Sequence, residues 1–330
     1  MHIFKDTNYN FLRWRWHAIA FSSLIVIAGL FTMWTRGIAK GVEFAGGTVV
    51  IERFEQPVTV EQVRAALEQS FGQDLIINST GDPSQRLIMI RVPEVGAESG
   101  ASLSSRADAI ETALTSANLG GFKREATEIV GPAVGAELTN KAIWATVLSL
   151  IGILGYISFR FQLSFAVGAV VATIHDLAVT LAFLSFFEYD LTLNVIAALL
   201  TIAGYSTNDT IVIFDRVREN LRSMRRDSLD HVINVAVNQT LGRTVITGGT
   251  ALLSALALLF FGGDVLKGFA FTMTVGVITG TYSTVFIAAA TVSFWRGAGP
   301  TRAAAHAPVS ATAPQQPTRR SKPQRKARAS

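Results

Sequence analysis

Between Leu191 and Glu219 the chain reads LTLNVIAALLTIAGYSTNDTIVIFDRVRE. This is an apolar helix of spanning length that carries Asn208 and Asp209 before its hydrophobic run has ended, then closes on Asp215 and Arg216. Thr201, Asn208 and Asp215 lie seven apart along one helical stripe, and Tyr205, Asp209 and Arg216 lie along the adjoining one. The two stripes are expected to make one polar sector turned away from lipid. At 1.5 Å per residue, Asp209 sits about 9 Å inward of Asp215. A lone carboxylate at that depth needs a proton or a cation beside it, which is the chemistry of a proton relay.

Two further groups belong to the same chemistry. Arg243, between Gln239-Thr240 and Thr244 at the start of another apolar run, is expected at a depth where it can pair with Asp209 or Asp215. The static alternative is that Arg243 snorkels to the headgroups and Asp215-Arg216 marks the end of a helix. His175-Asp176 is a second polar pair inside an apolar run. Consecutive helical residues point in different directions, so these two are expected to contact different neighbours, either as structural hydrogen bonds or as part of the relay. No other histidine falls in a span, so no metal site is expected.

The composition requires a membrane. In 330 residues, 49% are hydrophobic and 16% charged, with the apolar positions gathered in long runs. There is no cysteine, which excludes disulfides, thiolate metal sites and a cysteine nucleophile. The net charge of +5 is local: from Arg296 onward eight Lys or Arg stand with no acid, and without them the chain is at −3. The basic balance therefore implies no specific nucleic-acid partner.

Six apolar runs are expected to span: 18–34, 142–159, 163–187, 191–214, 245–261 and 268–294. The first follows an aromatic and basic patch (Phe4, Lys5, Tyr9, Phe11, Arg13, Trp14, Arg15, Trp16) and reads as an uncleaved helix rather than a secretory signal. Residues 37–138 form the extramembrane insertion, with eight basic and fourteen acidic residues. Its pattern is strand 48–54, helix 60–71 behind a Thr59 cap with Gln62, strand 74–79, a turn at Gly81-Asp82-Pro83, strand 85–92, helix 104–118 and strand 122–129. That βαββαβ order is expected to give a ferredoxin-like α+β domain. Its serines Ser102, Ser104 and Ser105 have no histidine near them in sequence and read as helix-start and loop residues, so no enzyme is expected.

Basic residues choose the orientation. Lys5, Arg13, Arg15, Arg160, Arg216 to Arg226 and the tail fall on one face of a six-span arrangement, while Glu188, Asp190, Asp264 and the acidic insertion fall on the other. Both termini are then cytoplasmic and the insertion periplasmic. Small residues mark expected helix contacts: Ser149, Gly152 and Gly155, Gly168 and Ala172, Gly248 and Gly249, and Gly276 with Gly280. The segment 296–330, rich in Ala, Pro, Ser, Gln and Arg, reads as a disordered cytoplasmic tail with weak attraction to anionic lipid. The expected organisation is 1–36, 37–138, 139–295 and 296–330.

Four segments carry a resemblance: GVEFAGGT at 41–48, GYSTNDTIVIFDRVREN at 204–220, QTLGRTVITGGTALL at 239–253 and LFFGGDVLKGFAFTMTVGVITGTYST at 259–284. Together with the span count and the place of the insertion, they resemble the bacterial SecF family over about residues 10 to 295. The resemblance implies a six-helix unit of the resistance-nodulation-division type, partnered by SecD and the SecYEG channel. Such a unit uses protons as the coupling ion, with no cofactor, to help draw preproteins outward after the SecA motor has acted. It also carries proton-path roles onto Asp209, Arg243 and Asp215, and implies a further essential aspartate on SecD. Two other readings share these features: half of a small-molecule or lipid exporter, and an assembly scaffold with no proton role.

Overall fold

The computed structural model describes residues 7–72, 75–80, 83–92 and 100–297. Phe4 and Lys5, Asp74, the Gly81-Asp82 turn and the basic tail beyond 297 lie outside the described residues. Among the described residues, six helical segments are long and apolar enough to cross a membrane.

The first is α1 (Arg15–Arg36), followed by the short α2 (Val42–Ala45) and the extramembrane domain. That domain consists of β1 (Gly47–Phe54), α3 (Val60–Phe71), β2 (Ile76–Thr80), β3 (Leu87–Val92), α4 (Gly100–Ser116) and β4 (Phe122–Val130). Helix α3 starts where its sequence dictates. The Thr59 hydroxyl accepts from the Gln62 N–H, and the Gln62 side chain accepts from the Thr59 N–H, so two orphan donors are satisfied at once. The sheet runs β2-β3-β1-β4 with every neighbouring pair antiparallel. Val50 and Phe54 of β1, Ile77 of β2 and Ile88 and Ile90 of β3 point to one side and close over Val63, Leu67, Ile110 and Leu114 of the two helices. Over Val50–Phe54 and Leu87–Ile90 the pattern is the period-2 burial of a sheet with one face covered, while Gly47–Val49 and Arg91–Val92 are buried on both faces.

The remaining helices are α5 (Pro132–Arg160), α6 (Leu163–Phe186), α7 (Leu193–Ser223), α8 (Leu229–Phe261) and α9 (Asp264–Ser283). A π turn at Thr284–Ala288 continues α9 into α10 (Ala289–Gly297). Three helices outrun their apolar stretches. Helix α5 begins at Pro132, ahead of the boundary at 138 read from the sequence, because Pro132 opens the helix directly after β4. At 31 residues α7 is about 46 Å long against a hydrocarbon core of about 30 Å, so its end beyond Phe214 outruns the apolar layer while still packing on α8 through the buried Val217 and Asn220. Helix α8 starts at Leu229 behind a Ser228 cap rather than near Val245, and its first turns bury Val232, Ile233, Ala236 and Val237. Asn234 and Asn238 on these turns clamp the amino-terminal segment: their side-chain oxygens accept from the N–H groups of Phe11 and Tyr9 at 2.9 Å.

Small residues decide where helices touch. A Cβ at Gly276 of α9 would sit 2.1 Å from Ile202 of α7, and one at Gly280 3.2 Å from Ser206 Cβ. One at Gly248 would lie 3.0 Å from Thr281 Oγ1, and one at Gly168 3.0 Å from Val292. Gly29, which the sequence pattern did not single out, brings α1 against α6: a Cβ there would lie 2.1 Å from Ala182 Cβ. Gly152, Gly155 and Gly249 differ from the expectation, since among the described residues nothing lies within 4 Å of a Cβ at any of them. They sit on faces of α5 and α8 that this chain leaves uncovered.

One core residue of the extramembrane domain is a carboxylate. Glu52 of β1 points inward with Val50 and Phe54, is 0% exposed, and among the described residues neither oxygen has a hydrogen-bond partner. Its nearest cation, Arg124 of β4, stands 3.9 Å away and is engaged by Glu111 at 2.7 Å and Asp108 at 3.1 Å on α4. Burial, and secondarily the Glu111 charge, push the Glu52 carboxyl from its ordinary 4.5 up to about 7 against the opposing pull of Arg124.

The packing at Gly276 predicts that Gly276→Leu lowers the detergent-solubilised protein's stability by about 1–3 kcal/mol, read as the midpoint of thermal unfolding. The burial of Glu52 predicts a pH effect whose sign is fixed. A carboxyl raised from 4.5 to about 7 is neutral in both states below that window and charged in both above it, so the folded domain loses stability as pH rises through the window. Glu52→Gln should then raise the opening free energy of the β1 amides by about 1–3 kcal/mol at pH 8 and leave it unchanged near pH 4.5. Hydrogen exchange on the full-length protein, corrected for intrinsic rates, checks this.

Candidate functional site

Helix α7 presents a ladder of polar side chains, and most of the inward ones meet another helix. Asp209 is 6% exposed, and its Oδ1 accepts a 3.0 Å hydrogen bond from Thr244 Oγ1 of α8. Tyr205 reaches Thr281 of α9. Thr207 pairs with Thr173 of α6 at 3.3 Å, and Thr210 with Thr284 at the π turn at 3.2 Å. Ser206 donates to Asp176 Oδ2 of α6 at 2.5 Å. Helix–helix hydrogen bonds of this kind satisfy groups that lipid cannot.

The two stripes read from the sequence separate here. Tyr205 and Asp209 turn inward, whereas Thr201, Asn208 and Asp215 are all exposed on the outer face of α7. They do not form one sector because the seven-residue stripe and its neighbour straddle the edge of this chain's own packing surface. Arg243 is also exposed, one residue before the buried Thr244 that holds Asp209. Among the described residues Arg243 makes no ion pair with Asp209 or Asp215, although its charge lies within electrostatic reach of Asp209. Arg216 is held by Glu219 at 2.7 Å, and α7 runs on past both to Ser223, so Asp215-Arg216 does not mark a helix end.

His175 and Asp176 also depart from the expectation of separate contacts. His175 Nδ1 stands 3.1 Å from Asp176 Oδ1, and Asp176, fully buried, additionally accepts from Ser206 and from Ser283 of α9 at 2.7 Å. Adjacent side chains meet because both bend toward the junction of α6, α7 and α9, where the serines pull the carboxylate inward. Among the described residues the buried His175 Nε2 has no hydrogen-bond partner, and the ring stacks toward Tyr282, whose hydroxyl donates to the Ala18 carbonyl at 2.5 Å. Ser283, the last residue of α9, immediately precedes the π turn, and such turns recur at functional positions. Ser206 and Ser283 escaped the sequence reading, since a serine in a membrane helix ordinarily bonds its own preceding turn. Among the described residues no group of three or more acidic or histidine side chains is placed to hold a metal.

A second set of contacts ties the extramembrane domain to the start of α7. The Arg91 guanidinium of β3 donates to Asp190 at 2.5 Å and to the Lys40 carbonyl at 3.0 Å. The backbone adds Leu191 N–H to Ala39 O at 2.7 Å and Gly41 N–H to Leu191 O at 2.8 Å. Arg36 pairs with Glu188 at 2.9 Å. The link between α6 and α7 is thus a short parallel bridge to the chain that enters the sheet.

Residues 109–298 match the family described as "Protein export membrane protein SecD/SecF, C-terminal". "Protein translocase subunit SecF" of Desulfurispirillum indicum is 41% identical over 290 residues, covering 87% of this chain and 91% of that one. The protein of the same description from Pseudomonas aeruginosa is 42% identical over 282 residues, covering 84% and 89%. Among solved structures, the crystal structure of SecDF, a translocon-associated membrane protein from Thermus thermophilus, superposes with a TM-score of 0.79 at 35% identity. That superposition covers 88% of this chain and 39% of the SecDF chain, so the present chain spans well under half the length of that protein. The SecDF structure in its super-membrane-facing form gives a TM-score of 0.65 at 34% identity. With alignments that run through most of both chains and a family match across the last five spans, the chain belongs to the SecF family of protein translocase subunits.

Proposed function

We propose that this chain is the SecF half of a SecDF assembly, in which proton movement along the α7–α8 face drives late steps of preprotein translocation through the SecYEG channel. The observation that carries this reading is the placement of Asp209 and Arg243. The carboxylate is buried between two helices of its own chain, held by a single threonine, and the arginine stands one residue away on the open face. That face also exposes Thr201, Asn208 and Asp215, a composition that lipid disfavours and a protein partner satisfies. SecD is the partner that fits, and it would cover the surfaces at Gly152, Gly155 and Gly249 or at the α7–α8 face. The relatives are translocase subunits and the superposed chain is SecDF, which supports the same assignment.

The orientation follows the basic residues: termini cytoplasmic, sheet domain periplasmic. The antiparallel β2-β3-β1-β4 order with two helices on one face supports the ferredoxin-like reading of that domain. In the working cycle, a proton taken up from the periplasmic side neutralises the carboxylate, and Arg243 exchanges partners between Asp209 and acidic groups of SecD. The Asp209–Thr244 hydrogen bond then has a different strength in the two states, so the α7–α8 contact is the element that shifts. Motion of α7 reaches the sheet domain through Asp190 and Arg91 at its outer end. Release of the proton to the cytoplasmic side resets the pair, and only this directed exchange supplies free energy.

Asp209→Asn and Arg243→Leu should each reduce the proton-driven component of preprotein translocation by about tenfold or more in inverted vesicles that contain SecD. ATP-driven translocation and SecD association should persist. Unchanged proton-driven translocation in assembled complexes would leave the scaffold reading in its place. Breaking the outer tie separates coupling from proton exchange. Arg91→Ala leaves Asp190 without its cation, a change worth about 1–3 kcal/mol, and should speed hydrogen exchange at 188–194 and weaken translocation without altering the titration of Asp209.

A further inference from the structure

At the end of the bundle opposite the sheet domain, three arginines converge on one cavity of about 300 Å3. Arg160 closes α5, Arg218 and Arg222 stand one turn apart near the end of α7, and Phe161, Phe165 and Leu221 supply apolar walls. Among the described residues no carboxylate lines the cavity. Among the described residues none of the three guanidinium groups makes an ion pair, while Glu219, the neighbouring acid on α7, is taken by Arg216. Three like charges around one cavity repel each other, and an arrangement of this kind is stable when an anion sits among them.

The arginines are also held in place. Phe161 is buried, and its ring receives the guanidinium of Arg160 at 5.2 Å and that of Arg218 at 6.0 Å. A guanidinium resting on an aromatic face keeps its in-plane N–H fork available for an acceptor, and the fork matches phosphate geometry. The residues on either side of this loop set the depth. Phe159 is 94% exposed and Leu163 58% exposed, both apolar and both turned outward, so the cavity opens where a bilayer's acyl region meets its headgroups.

From this juxtaposition we infer that the Arg160–Arg218–Arg222 cavity binds the phosphodiester headgroup of an anionic phospholipid, with its acyl chains along Phe159 and Leu163. The site clamps the α5–α6 turn to the projecting end of α7, the helix that carries Asp209. Lipid occupancy there fixes the inner end of α7 as the Arg91–Asp190 tie fixes its outer end.

The test uses the full-length protein in neutral detergent, with phosphatidylglycerol or phosphatidylcholine added at equal concentration and retention read by native mass spectrometry. Phosphatidylglycerol should be retained over phosphatidylcholine, and the double variant Arg160→Gln, Arg218→Gln should lose about tenfold of that retention. Arg225→Gln with Arg226→Gln removes the same charge outside the cavity and should leave retention within about twofold. The single exposed variant Arg222→Gln, which breaks no packing, should give an intermediate loss. Equal losses from the two double variants would mean diffuse electrostatic attraction and would overturn the site. Inorganic phosphate is the second probe. Saturable, Arg218-dependent phosphate binding with no lipid retention would assign the cavity to a soluble anion and overturn the lipid.

Discussion

The bundle is organised by the need to satisfy the polar side chains of α7 without water. An apolar medium offers no hydrogen bonds, so a buried hydroxyl or carboxylate has to find its partner within the protein, on its own helix or on a neighbouring one. Ser206 and Asp176 join α7 to α6, Asp209 and Thr244 join it to α8, and Thr210 and Thr284 join it to the sixth segment. Gly276 and Gly280 admit α9 close against Ile202 and Ser206 of α7, beside the last of these bonds. Packing and polarity therefore specify the same arrangement. A register shift of α7 would break several of these bonds at once.

The Asp176 cluster of α6, which α7 enters through Ser206, and the Asp209 site of α7 are different kinds of structure. Asp176 accepts from two serines and contacts His175, so it is closed off and fully engaged. Among the described residues Asp209 has one hydrogen bond, and it stands at the edge of an uncovered polar face. The first anchors α7 against α6 and α9 beside a π turn. In the proposed cycle the second is where partners are exchanged. An energy-coupling site needs both, since a group that changes state does work only against a frame that holds still.

Much of this could be read before any coordinates. Long apolar runs located all six spans, because lipid demands a length that few soluble helices match. Thr59 with Gln62 located the start of α3, since the capping box is written in local chemistry. What escaped was set by tertiary contact. The early start of α8 at Leu229 depends on Asn234 and Asn238 gripping the amino-terminal segment, which no local pattern announces. The separation of Asn208 from Asp209 depends on where this chain's surface ends, and helical periodicity fixes angles but not neighbours. Glu52 reads in sequence as an ordinary polar position in a strand and proves to be core, because β1 is central in the sheet and its inner face is wholly covered.

The central claim is that the Asp209 carboxyl exchanges a proton at the interface with SecD. Infrared difference spectroscopy on the reconstituted SecDF complex, stepped between acidic and neutral pH, tests it directly. The account predicts a protonated-carboxyl band that appears and disappears with pH, is absent in Asp209→Asn, and shifts in frequency in Thr244→Val, where the hydrogen bond to Oδ1 is lost. A spectrum identical in the native protein and Asp209→Asn would contradict it.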